Sequence, residues 1–276
     1  MDAPDAHATL TAADAAFVIE ASGLASPAHI ELRRLSADEA YRGELLRADA
    51  LFRRLLNSDG ALSRVSPRLF FEVMLRRAVQ ELGRQVHVFE RSGGKSIPVF
   101  SADDVVRLVS NPPVLYYLAD MLASFTRVES HTARVFIRRG VMRKTRYSDL
   151  DVRSLVKLAQ QTEEQARLPL YKRAGDACLL ILGIFPDFPA TAQRYPASGA
   201  LRPLVERRGR LSVEEYEAVG ARMYGLAAEH PAARKLGIDE PLARLRDGMI
   251  DARRPLNFIS EHYLRYRRTE LFGAAT

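Results

Sequence analysis

The feature that most constrains this chain is the stretch Arg173 to Pro186, which reads R-A-G-D-A-C-L-L-I-L-G-I-F-P. From Ala177 to Phe185 it carries no charge, hydroxyl or amide side chain. The run is about half the ~20 apolar residues that a helix needs to cross a bilayer. The lead-in Pro169, Leu170, Tyr171, Ala174 and Cys178 has helical spacing, with a proline where helices accept one, at the first turn. A helix that is apolar all round must be covered on every side by other elements. Pro186 and Pro189 supply no amide hydrogen and should stop it.

Asp176 stands at the edge of the run, with Lys172 four residues and Arg173 three residues before it. Both cations are within reach on a helix surface. An unpaired carboxylate inside a protein is costly, so Lys172, Arg173 and Asp176 form a candidate structural ion pair rather than a catalytic or metal-binding acid. Gly175 and Gly183 weaken a helix by about 1 kcal/mol each relative to alanine, which points to close approach of a neighbouring backbone. The spacing Arg-x-Gly-Asp, then Gly-x-Phe-Pro, resembles a stretch of uncharacterised bacterial helical proteins of unknown function. The resemblance implies a helical fold and brings no activity and no site residue with it.

The rest of the chain also reads as helices. The alanine-rich residues 1–28 are expected as an N-terminal arm with a short helix near Thr11 to Ser22, and residues 29–276 as a single helical domain. Ser36 with Glu39 has the form of a capping box ahead of a stripe through Tyr41, Leu45, Ala48, Phe52 and Leu55. Ser66-Pro67 opens a helix with Phe71, Met74, Leu75, Ala78 and Leu82 on its buried side. Pro112-Pro113, Ser148 with Asp151, Ser212 with Glu215, Glu240-Pro241 and Pro255 mark further helix starts. Alternating Val86/Val88 and Ile97/Val99 around Ser92 to Lys95 predict one small β-hairpin. Gly94-Lys95-Ser96 has the ending of a phosphate-binding loop, but Phe89 stands where that motif needs glycine, and an extended segment follows it.

The net charge is +7, and 36 of the 41 cations are arginine. The charge is concentrated: Arg127, Arg134, Arg138, Arg139, Arg143, Lys144 and Arg146 face only one acid, Glu129, within twenty residues. Clustered cations of this kind bind phosphates by releasing counterions, and Phe136 and Tyr147 lie among them. Arg134, Arg138, Arg139, Arg143, Lys144 and Arg146 are therefore the candidate nucleic-acid-binding residues. The apolar run Val135-Phe136-Ile137 fits a strand or a helix turn. Near the end, Tyr263, Tyr266 and Arg267 have the aromatic–arginine mix of interface hot spots and are candidate interface residues.

Other chemistry finds little support. The one cysteine, Cys178, sits inside the apolar run, where a thiol is inert. The six histidines are scattered singly, with no Glu-x-x-His pair for a di-metal bundle. There is no G-x-S-x-G elbow and no G-x-G-x-x-G turn. No catalytic residue, metal or cofactor is assigned. The first ten residues contain two acids and no lysine or arginine, unlike a signal peptide, which makes the cytoplasm the expected location. The sequence thus predicts an all-α protein, an irregular and mainly orthogonal helical bundle around a buried central helix, with no membrane span. The leading expectation for function is a non-catalytic module that binds a protein partner or itself. Nucleic-acid binding through 127–146 ranks second, and an enzyme with a buried helical pocket third.

Overall fold

A computed structural model of the chain describes residues 10–57, 60–84, 88–92, 95–99, 102–126, 130–138, 141–191 and 211–272. Helices dominate it, and the fold is all-α. The first, α1 (Ala12–Ser22), begins with a reciprocal capping box between Thr11 and Asp14 and ends at Gly23, whose φ of 66° suits glycine. Phe17 and Val18 are buried, so part of the alanine-rich start is packed into the body. Asp14 also accepts hydrogen bonds from the Ser66 amide (2.7 Å) and hydroxyl (2.8 Å). One carboxylate therefore serves the starts of two helices.

The segment 28–57 forms three short helices, α2 (Ala28–Ala37), α3 (Glu39–Leu46) and α4 (Asp49–Asn57), where the sequence suggests one long stripe. The Ser36–Glu39 box is not made. Ser36 instead donates to the Leu32 carbonyl, and Asp38 caps α3 by accepting the Tyr41 amide at 2.9 Å. Glu39 is drawn away by Arg76 and Tyr116 from across the fold. After α5 (Ala61–Arg64), α6 (Pro67–Leu82) starts at Ser66 and Pro67 as expected.

Strands β1 (Val88–Ser92) and β2 (Lys95–Val99) pair antiparallel, with Ser92 opposite Lys95. Helices α7 (Ala102–Val109) and α8 (Pro112–Ser124) follow, then β3 (Ser130–Arg138) and β4 (Val141–Ser148), a second antiparallel pair. The basic segment is thus a hairpin. Asp151, not Ser148, caps α9 (Val152–Gln161), accepting the Ser154 amide at 3.1 Å.

The apolar run is the helix α10 (Leu168–Ile184), in which every residue from Ala174 to Ile184 is buried. After the short α11 (Asp187–Thr191) come α12 (Val213–Glu229), with the Ser212–Glu215 capping box in place, α13 (Pro231–Lys235) and α14 (Asp239–Asp247). Helices α15 (Met249–His262) and α16 (Arg268–Phe272) close the chain. Helices α9, α12 and α15 all pack on α10, which covers it as its composition requires. The approaches are close. A Cβ on Gly175 would lie 2.8 Å from the Tyr224 ring of α12, and one on Gly183 would lie 2.5 Å from Leu256 Cβ of α15.

Pro255 does not start a helix but lies inside α15. An interior proline costs roughly 3 kcal/mol. The unbroken buried stretch Ala252 to Ser260 offsets that cost. Within it Asn257 donates to the Leu182 and Gly183 carbonyls at 2.8 and 2.7 Å, and Ser260 to the Ile184 carbonyl at 2.6 Å. These bonds satisfy the open carbonyl end of α10 with side chains from its neighbour.

Candidate functional site

Asp176 is fully buried where α8, α10 and α12 meet. Its Oδ1 accepts hydrogen bonds from the hydroxyls of Tyr117 (2.7 Å) and Tyr224 (3.0 Å), and its Oδ2 from Lys172 Nζ (2.7 Å). The tyrosine rings meet edge to face, centroids 6.2 Å apart, and Lys172 Nζ lies 4.8 Å from the Tyr117 ring centre. Gly175 is what lets the Tyr224 ring lie against the α10 backbone. Burial, followed by the negative charge of Asp176, pushes both tyrosines well above their ordinary pKa. They are held as hydroxyl donors. Cys178 is raised as well, by burial and then by Asp176, which leaves its thiol protonated and unreactive.

The proposed ion-pair trio divides. Lys172 pairs with Asp176, while Arg173 pairs with Asp149 at 2.6 Å, donates to Ser124 Oγ and lies 3.5 Å above the Phe125 ring. The two cations thus tie α10 to α8 in one direction and to the start of α9 in another. With both oxygens of Asp176 engaged by three donors, the arrangement can anchor helices.

A second buried network escaped the sequence reading. Glu72 on α6 accepts from Arg42 Nε (2.8 Å) and from Arg76 Nη2 (2.9 Å), with Arg68 Nη1 3.7 Å away. Arg76 also reaches Glu39 at 2.9 Å, and the guanidinium of Arg42 stands 4.7 Å from the Tyr116 ring centre. Burial raises the Glu72 carboxyl, but the Arg42 hydrogen bond and the charges of Arg42, Arg76 and Arg68 outweigh it and hold the group below its ordinary value. The signal was present in the sequence. Arg68, Glu72 and Arg76 recur at four-residue spacing, which lines them along one helix face. That face is buried, because Arg42 and Tyr116 arrive from other helices to cover it. Among the described residues, no group of three or more His, Cys, Asp or Glu side chains could hold a metal ion.

The basic segment is the third candidate. The β3–β4 register sets Thr132 opposite Arg146, Arg134 opposite Lys144 and Val135 opposite Arg143; after a shift, Arg138 stands opposite Val141. Opposed residues of an antiparallel pair share a face, and so do residues two apart. The positions of Arg134, Lys144 and Arg146 therefore fall on one face of the ribbon, and that of Arg143 on the other. Arg139 lies outside the described residues. Across 130–148 the sequence has six cations and no acid.

The candidate interface residues go to different tasks. Tyr263 is half-buried, its ring 5.0 Å from Phe52 and 5.6 Å from Phe258. Arg267 reaches the Leu55 carbonyl at 3.5 Å, near the end of α4, and its neighbour Arg268 reaches the Ile184 carbonyl at 3.2 Å, at the end of α10. Both arginines sit where the helix dipole favours a cation. Tyr266 is 90% exposed, with the Arg265 guanidinium 5.8 Å from its ring. No described helix is long and apolar enough to cross a membrane. Comparison of the chain with protein-family models, with curated proteins and with solved structures returns no match.

Proposed function

We propose that this protein is a nucleic-acid-binding protein in which a rigid helical body carries a basic β-hairpin, residues 130–148, as its contact element. The observation that carries the reading is the strand register, which sets Arg134 directly opposite Lys144 with Arg146 two positions along from Lys144. Like charges directly opposed in a ribbon destabilise it, and the segment has no acid to relieve them. A bound polyanion would supply negative charge along this row. Tyr263, Tyr266 and Arg267 are the candidate residues for a protein partner, and of these Tyr266 is the exposed one. Tyr263 packs against Phe52 and Phe258, and Arg267 turns to a backbone carbonyl, which favours the hairpin as the contact element.

Fluorescence anisotropy of a labelled DNA or RNA oligonucleotide, titrated with the full chain at about 50 and 200 mM salt, tests the proposal. Six phosphate contacts would weaken binding about a thousandfold over that interval. Replacing Arg134, Lys144 and Arg146 together by glutamate should abolish the salt-sensitive component. Absence of binding at the lower salt, or binding that the triple variant leaves unchanged, would refute the reading.

A further inference from the structure

We infer that the hairpin docks as a two-stranded ribbon in the major groove of double-stranded DNA and discriminates against double-stranded RNA. This rests on the nucleic-acid reading above and deepens it. Three observations carry it. The element is an antiparallel ribbon, β3 being nine residues long, hence roughly 30 Å from end to end. The pairing holds from Ser130 opposite Ser148 to Phe136 opposite Met142, with the register shift confined to the turn end. The ribbon is thus regular over most of its length. Finally, Arg134, Lys144 and Arg146 occupy neighbouring positions on one face, with Thr132 and Phe136 completing that row.

The groove dimensions then select the ligand. The B-form major groove, about 12 Å wide, admits a two-stranded ribbon. The A-form major groove of RNA is deep and too narrow for side chains to read. A ribbon whose row holds three cations and one aromatic, Phe136, is more cationic than the stacking platform of single-strand binders and suits a duplex groove with phosphates on both walls. The cationic row of Arg134, Lys144 and Arg146 would follow the groove.

Anisotropy titrations of the full chain against a 20-base-pair DNA duplex, an RNA duplex of the same sequence and the single strands separate the possibilities, the chosen length being about two helical turns. The DNA duplex should bind at least about tenfold more tightly than the RNA duplex, and methylation of guanine N7, which lines the major groove, should interfere. The variant Arg134→Gln/Lys144→Gln should reduce the salt slope by about two phosphate equivalents, while Arg222→Gln on α12 leaves it unchanged. Arg134→Glu turns the like-charge pair into an opposite-charge pair. It should preserve the far-ultraviolet spectrum and hold the thermal midpoint at or above the parent's while weakening binding at least as much as the double glutamine variant, so that loss of binding is not loss of fold. Equal or tighter binding to RNA duplex, or indifference to N7 methylation, overturns the groove inference and leaves the broader reading standing. Failure to bind any of the oligonucleotides at low salt overturns both.

Discussion

Gly183→Ala tests the physical account of the core most directly. The substitution has a favourable part, because alanine stabilises a helix interior by about 1 kcal/mol relative to glycine. Against this, the new Cβ would lie 2.5 Å from Leu256 Cβ and 2.8 Å from Leu256 Cδ1. A Cβ cannot rotate away, so α15 must back off from α10 as a unit. Overpacking of this kind costs about 1–3 kcal/mol. The retreat also stretches the Asn257 and Ser260 hydrogen bonds to the carbonyls of residues 182–184, and a buried polar group left unsatisfied costs about 1–3 kcal/mol more. The net expectation is a loss of about 1–5 kcal/mol. Gly225→Ala on α12 is the internal contrast, since a Cβ there would meet only the flexible Arg246 side chain, 3.1 Å from its Cδ and 3.7 Å from its Cγ. It should stay within about 1 kcal/mol of the parent, close to the propensity gain alone. Urea unfolding followed by far-ultraviolet circular dichroism, compared at constant m-value, gives both numbers. A Gly183→Ala protein as stable as the parent, or more so, would refute the claim that the Leu256 side chain of α15 lies against the α10 backbone at Gly183.

Two further predictions concern the Asp176 network. Asp176→Asn keeps the shape but faces an amide toward Lys172 and should lower stability by about 1–3 kcal/mol while leaving oligonucleotide affinity unchanged at a temperature where the fold persists. Loss of binding with intact stability would instead make Asp176 functional. Tyr117 and Tyr224 are raised in the folded state, so the unfolded chain gives up these protons first as pH rises. The sign of the linkage is therefore a loss of stability that begins near the ordinary tyrosine pKa of about 10 and steepens by up to tenfold in the folding constant per pH unit for each tyrosine. The Tyr117→Phe/Tyr224→Phe double variant, though less stable at neutral pH, should lose stability more slowly between about pH 10 and 11. An equal slope in both proteins would show that these hydroxyls do not remain protonated.

The elements most legible in the sequence are those whose determinants lie within a few residues of one another. Ser212 with Glu215 and Ser66-Pro67 satisfy helix-start amides locally, and both helices begin where those residues stand. The nine-residue apolar run has no polar face to offer water, which made α10 central wherever its neighbours came from. Lys172 and Asp176 are four residues apart on that helix, so their pairing follows from helical geometry. Where the sequence misled, a distant residue competed with the local partner. Glu39 is claimed by Arg76 and Tyr116 instead of completing a cap with Ser36, and α3 starts at Asp38 in consequence. Pro255 is carried inside a helix because Asn257 and Ser260 are held by the end of α10. Arg173, within reach of Asp176, goes to Asp149.

The chain's sequence by itself determined the helical class, the position of the central helix and the concentration of positive charge in 127–146, because apolar periodicity, local capping and charge density are properties of short windows. Only the tertiary structure decided which polar groups are buried and what the basic segment becomes. Glu72 and Arg42 are thirty residues apart and meet through the packing of α3 on α6. The charge row of Arg134, Lys144 and Arg146 exists through one strand register, and a slip of a single residue would divide it between the two faces of the ribbon.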